Sequence, residues 1–215
     1  MQNSTSREKV LKRIRGALMS NNAQPSFDTN QDLEIYTEKD DVPELSFAKA
    51  LREAGGHFIF CEDMLEFADS FLNLIHEKKW KSISCFDDKL KEFLLQCEFP
   101  LEKVPDIISD DAVAITWSEC LISKTGSILL SSSMKNGRAL PALAKAHIVI
   151  AYTSHLVDDL NDALSRMEKK YGDDLPSSMT FITGPSRTAD IGSEVVIGAQ
   201  GPKELFLYMI DKPLN

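Results

Sequence analysis

The 215-residue chain sets 33 Asp and Glu against 24 Lys and Arg, for a formal net charge of -9, with 43% apolar and 27% charged residues. That length fits one domain with a sizeable core. The acidity argues against a nucleic-acid binder, which needs a basic surface to displace counterions from phosphates, and leaves room only for a local basic patch that holds a small anion.

No apolar run approaches the roughly 20 residues that span a bilayer. The four cysteines, Cys61, Cys85, Cys97 and Cys120, are scattered without a C-x-x-C pair. They read as buried reduced thiols, with no metal or cluster implied and the cytoplasm as the expected compartment.

In chain order, Thr5-Ser6-Arg7-Glu8 has capping-box form, and Val10, Leu11, Ile14 and Leu18 follow at helical spacing with basic residues on the other face. Residues 1–20 therefore read as a basic amphipathic helix, either a solvated surface helix or a docking arm. Residues 21–45 are polar, carry Pro25 and Pro43, and read as a connector. Residues 46–215 read as a single α/β domain.

Within it, Phe47–Ala54 is expected to be a short helix stopped by Gly55-Gly56, and His57–Cys61 a strand. Met64, Leu65, Ala68, Phe71, Leu72 and Ile75 form a helical stripe. Ser82–Phe86 is a second strand and Lys89–Gln96 a second short helix, an alternation that points to a mostly parallel sheet. Ala112–Thr116, Glu119–Ser123 and Ser127–Ser132 then follow with no room for helices, so an antiparallel excursion is expected. Arg138–Ala146 reads as a helix and His147–Tyr152 as a buried strand. Ser154 is placed as the cap of a helix with the stripe Leu156, Val157, Leu160, Leu164 and Met167. Strands close the chain at Met179–Thr183, Glu194–Ile197 and Leu205–Ile210.

The chemistry-bearing residues concentrate in the loops. Thr183-Gly184-Pro185-Ser186-Arg187-Thr188-Ala189-Asp190 joins a Gly-Pro turn to three hydroxyls, a guanidinium and a carboxylate. Backbone N–H groups and Arg187 in such a turn can cradle a carboxylate or phosphate, and Arg187 can equally pair with Asp190 to lock the loop. Thr125, Gly126 and Ser127, in the turn after Lys124, form a second candidate for the same anion pocket or a plain hairpin turn. Arg138 at a helix start and Gln200 with Gly201 in a Gly-Pro loop complete the candidate set. His147 and His155 are candidate bases or satisfied core histidines. Glu119 beside Cys120 is a possible acid/base or thiol site without a partner fixed nearby by sequence. Neither G-x-x-x-x-G-K-[ST] nor G-x-G-x-x-G is present, so no nucleotide cofactor is supported.

Taken together, I-S-K-T-G-S-I (Ile122 to Ile128), N-G-R-A-L-P-A-L (Asn136 to Leu143), H-I-V-I (His147 to Ile150), T-G-P-S-R-T-A-D-I (Thr183 to Ile191) and G-A-Q-G-P-K-E-L (Gly198 to Leu205) resemble the lactate-utilisation (LUD) domain family. The resemblance implies a three-layer α/β/α fold similar to the sugar-phosphate isomerase and coenzyme A transferase superfamily. The sheet would be mixed and mostly parallel, with the antiparallel excursion and the extra N-terminal helix. It also implies a component of bacterial L-lactate oxidation to pyruvate that works beside iron–sulfur partner proteins. The cysteine spacing agrees with a component that carries no cluster or other cofactor, the loops offer a pocket for a small anionic ligand, and homo-oligomerisation is compatible with both. An independent isomerase- or transferase-like enzyme and a regulatory anion-binding module stand as alternatives. Two departures from the family's habit are Lys124, where an acid is frequent, and Ala199-Gln200-Gly201-Pro202, where V-H-G-P is common.

Overall fold

A computed structural model describes residues 42–80, 83–96, 113–134, 140–189 and 195–211. The expected N-terminal helix, the connector up to residue 41, Cys97, Arg138 and Asp190 lie outside the described residues. Everything described falls in one unit, Lys39–Asn215.

Apolar strands, the central ones buried on both faces, organise the fold. Strands β1 (His57–Cys61), β2 (Ile83–Ser84), β3 (Val113–Trp117), β6 (Ala146–Tyr152) and β11 (Glu204–Ile210) form a parallel sheet in the order β1-β11-β6-β3-β2. In β6 and β11 the side chains alternate between two cores. Ile148, Ile150, Phe206, Tyr208 and Ile210 face one core with helices α2 (Met64–Lys78) and α3 (Asp88–Gln96). Val149, Ala151, Leu205, Leu207 and Met209 face the other, as the period of two requires.

That second core is closed by Phe47 and Leu51 of helix α1 (Pro43–Glu53) and by a second sheet. Its strands are β4 (Cys120–Ile122), β5 (Ser127–Ser131), β7 (Leu156–Val157) and β8 (Met179–Ile182), ordered β7-β4-β5-β8. Leu121, Ile128 and Leu130 point to the parallel sheet, whereas Cys120, Ile122 and Leu129 point to Ala163 and Met167 of helix α5 (Leu160–Tyr171). The mixed, mostly parallel α/β architecture therefore holds, and the antiparallel excursion is a sheet of its own. The chain changes sheets within one peptide. Ser118 N–H donates to Ile150 of β6, and Glu119 N–H donates to Leu129 of β5.

Three expectations about elements are corrected. Helix α5 starts at Leu160 with Asp159 as its N-cap, whose carboxylate accepts from Asn161 and Asp162 N–H. Ser154 instead sits in a 3-10 turn, and Leu156–Val157 leave the helical stripe because they pair in parallel with Leu121–Ile122. The helix expected over Arg138–Ala146 is reduced among described residues to α4 (Leu140–Leu143), and Ala146 already belongs to β6. Arg187–Ala189 is not loop but strand β9, antiparallel to β10 (Val195–Ile197).

The N-terminal boundary also moves, with α1 beginning at Pro43, inside the stretch read as connector; Pro at the first helical position is well tolerated. In α2 the buried face is Met64, Phe67 and Phe71, while Leu65 is exposed.

Candidate functional site

The two Gly-Pro loops meet. Ser186 Oγ donates to the Gln200 carbonyl at 2.9 Å, and Ser186 N–H donates to the Pro202 carbonyl at 2.9 Å. Gly198 N–H closes the stitch on the Ser186 carbonyl. Pairing of β5 with β8 brings the β4–β5 turn to the same place. Thr125 Oγ1 donates to Ser127 Oγ at 2.7 Å, and the Ser127 and Thr183 hydroxyls are hydrogen-bonded to each other at 2.6 Å.

Thr183, Gly184, Ser186, Gln200 and Gly201 then line one cavity of about 270 Å³, together with Thr180 of β8 and Ala142 of α4. Thr125 and Ser127 stand behind that wall, holding Thr183. Five of the twelve candidate residues share the cavity directly, and Thr125 and Ser127 reach it through hydrogen bonds. The rest of the lining, including Ala142 and the hydroxyls of Ser131, Ser132, Ser178 and Thr180, lies outside the sequence candidates. The period of two in β8 was a usable signal for Thr180, since it places that residue on the same face as Ile182.

Two glycines let α1 support the site. Gly126, at φ +64°, lies so close to α1 that an added Cβ would come within 2.6 Å of the Ala50 carbonyl carbon and nearer still to the Leu51 nitrogen. Gly184, at φ +80°, abuts the Ala54 carbonyl in the same way. Any side chain at either position would push the turn off the helix.

Arg187 has a different task from the expected one. Its Nη2 donates to the Ala54 carbonyl at 2.7 Å, so the guanidinium caps the C-terminal end of α1, where the helix dipole favours a cation. Thr188 lies exposed on β9, paired with Val196. Neither residue lines the cavity, and no described lining residue carries a formal charge.

Glu119, His147 and His155 do not line the cavity. Glu119 is buried with a carboxylate that accepts from Ser131 Oγ at 2.5 Å, Tyr171 Oη at 2.6 Å and Lys170 Nζ at 2.6 Å. Burial pushes its carboxyl up, but the bonds from Lys170, Ser131 and Tyr171 outweigh it and hold the group below the ordinary Glu value. Glu119 reaches Lys170 and Tyr171 of α5, while Ser131, its third hydrogen-bond partner, also lines the cavity beside Leu130 and Thr180. Cys61 and Cys85 are pushed up to about 12 and Cys120 to about 11, burial being the main cause, so these thiols stay protonated. Among the described residues no group of His, Cys, Asp and Glu could hold a metal ion, and no helix is long and apolar enough to cross a membrane.

His147 is fully buried, bonded through Nε2 to Thr116 Oγ1 at 2.9 Å, and its Nδ1 has no partner. Burial depresses it to about 3, and burial with the charges of Arg166 and Lys170 depresses His155 to about 4. Unfolded histidine takes a proton near 6.5, so folded-state stability from these neutral rings is complete above pH 6.5. It is lost progressively as pH falls toward 4 and 3. For His147 alone the loss between pH 7 and 5 is about 2 kcal/mol at 1.36 kcal/mol per unit. Urea midpoints measured from pH 7 to 5 should fall, and His147→Gln should flatten that slope; an unchanged slope would contradict the assignment.

A family model described as the LUD domain matches residues 45–210. Lactate utilization protein C of Bacillus licheniformis is 32% identical over 103 residues, covering 46% of this chain and 43% of that protein. The protein of the same name from Oceanobacillus iheyensis is 30% identical over 112 residues, covering 51% and 48%. That from Bacillus subtilis is 29% identical over 194 residues, covering 85% and 77%. For the first two, the chain spans about half the length of the curated relative it matches. A crystal structure of a DUF162 family protein from Deinococcus radiodurans superposes with a TM-score of 0.60 at 17% identity, over 78% of this chain and 96% of that one, which shows a shared fold. On the match across residues 45–210, this chain belongs to the LUD domain family.

Proposed function

We propose that this chain is a component of bacterial L-lactate utilisation, acting in the cytoplasm beside iron–sulfur partner proteins and binding a small organic anion in the cavity between β8 and the Gln200–Pro202 loop. The observation that carries the reading is convergence: the two loops with the most distinctive sequence are bonded to each other and wall one cavity. The relatives named lactate utilization protein C supply the metabolic context.

Binding is favoured over turnover because the described lining offers hydroxyls, the Gln200 amide and backbone groups, but no acid, base or thiol. Such a lining can orient a hydroxy- or oxo-carboxylate through hydrogen bonds. The buried, protonated thiols suit a subunit that leaves electron transfer to its partners. Deleting the gene in its host should abolish growth on L-lactate as sole carbon source while sparing growth on pyruvate. Normal growth of the deletion strain on L-lactate would overturn the reading.

A further inference from the structure

Arg187 is committed to α1, which leaves the charge of an anionic ligand to be met elsewhere. Lys145 and Lys203 stand one residue ahead of the register partners Ala146 and Glu204, at the starts of the neighbouring parallel strands β6 and β11. Lys203 N–H donates to the Lys145 carbonyl at 2.7 Å, so the two backbones are in contact. Alternation along the strands turns both side chains toward the face that carries Leu205 and Val149, which is the face on which the second sheet packs. Glu204, the adjacent acid, turns the other way and pairs with Lys78.

Both lysines line a second cavity, of about 670 Å³, which shares Ala142, Gln200 and Gly201 with the first. The Lys203 stem runs along the loop, where a Cβ on Gly198 would meet its Cε at 3.1 Å. In a chain of net charge -9 the pair is no by-product of a basic surface. Ammonium groups that line one cavity hold an anion by charge-assisted hydrogen bonds.

We propose that Lys145 and Lys203 are the anion-holding end of the site, and that the ligand is an organic carboxylate or phosphate whose charged group lies over these lysines while its uncharged body occupies the hydroxyl-lined cavity across Gln200 and Gly201. This rests on the reading that the first cavity is the functional site, and it adds where the charge is recognised and which residues recognise it.

The test uses the full chain, the double variant Lys145→Gln/Lys203→Gln and Arg187→Gln, titrated calorimetrically with L-lactate, its uncharged analogue L-lactamide and inorganic phosphate. The wild type should bind L-lactate about tenfold tighter than L-lactamide, the discrimination expected of a charge-assisted contact. The double variant should lose that preference while keeping its Tm, since both lysines are exposed. Arg187→Gln should lower Tm and keep the preference. Undiminished preference for L-lactate in the double variant would overturn the lysine assignment and leave the lactate reading standing. Phosphate binding that needs the lysines, without any L-lactate binding, would support the assignment and overturn the lactate reading. No binding of either anion to the wild type would overturn both.

Discussion

Gly126→Ala should destabilise the protein by about 3 kcal/mol, made up of roughly 1 kcal/mol for a left-handed alanine and about 2 kcal/mol for overpacking against α1. At roughly 2–4 °C per kcal/mol for a chain of this size, Tm should fall by about 6–12 °C. The steric conflict is with backbone, the Leu51 nitrogen and the Ala50 carbonyl carbon, so no rotamer change can relieve it. A loss of less than about 1 kcal/mol in Gly126→Ala, measured by urea unfolding, would show that the turn is not packed against α1 as described.

Glu119→Ala should cost about 3–5 kcal/mol, the range for breaking a buried, hydrogen-bonded ion pair from one side. The substitution opens a cavity under α5 and orphans the Ser131 and Tyr171 hydroxyls together with the Lys170 ammonium. Glu119→Gln keeps the shape and an oxygen acceptor for Ser131 and Tyr171, and loses only the charge toward Lys170. Because Lys170 is half exposed, that milder variant should cost about 1–2 kcal/mol. A change of less than about 0.5 kcal/mol in Glu119→Ala, the range of an ordinary surface substitution, would contradict the network.

These two sites show where local pattern informs and where it fails. The strands His57–Cys61 and Ala146–Tyr152 are legible in their apolar runs, although only the second is buried along nearly its whole length. The switch of sheets between Ser118 and Glu119 is not, because it depends on which distant strand supplies the next carbonyl. Leu156 and Val157 fit a helical stripe by spacing, yet pairing with Leu121 and Ile122 claims them as strand. Tertiary pairing overrides propensity in such short segments.

The site was legible in the same uneven way. Hydroxyls and glycines clustered in Gly-Pro loops mark Thr183, Gly184, Ser186, Gln200 and Gly201, and these do meet at one cavity. Arg187 was the most conspicuous residue of its loop, and it serves α1 because the α1 C-terminus ends beside β9, a proximity that no local motif encodes. Lys145 and Lys203 are illegible in the sequence for the complementary reason. Each looks like an ordinary charge at a strand start until the β6–β11 register sets them side by side.

The central claim, that the cavity between β8 and the Gln200–Pro202 loop is the functional site, is tested most directly by filling it. Ala142 is exposed, contributes no hydrogen-bonding group from its side chain and lines both cavities. Growth on L-lactate should be measured in a host whose only copy carries Ala142→Trp, with protein level and Tm recorded alongside. The account predicts a normally accumulated protein of unchanged Tm and a loss of lactate-dependent growth. Wild-type growth with the indole in place would contradict it.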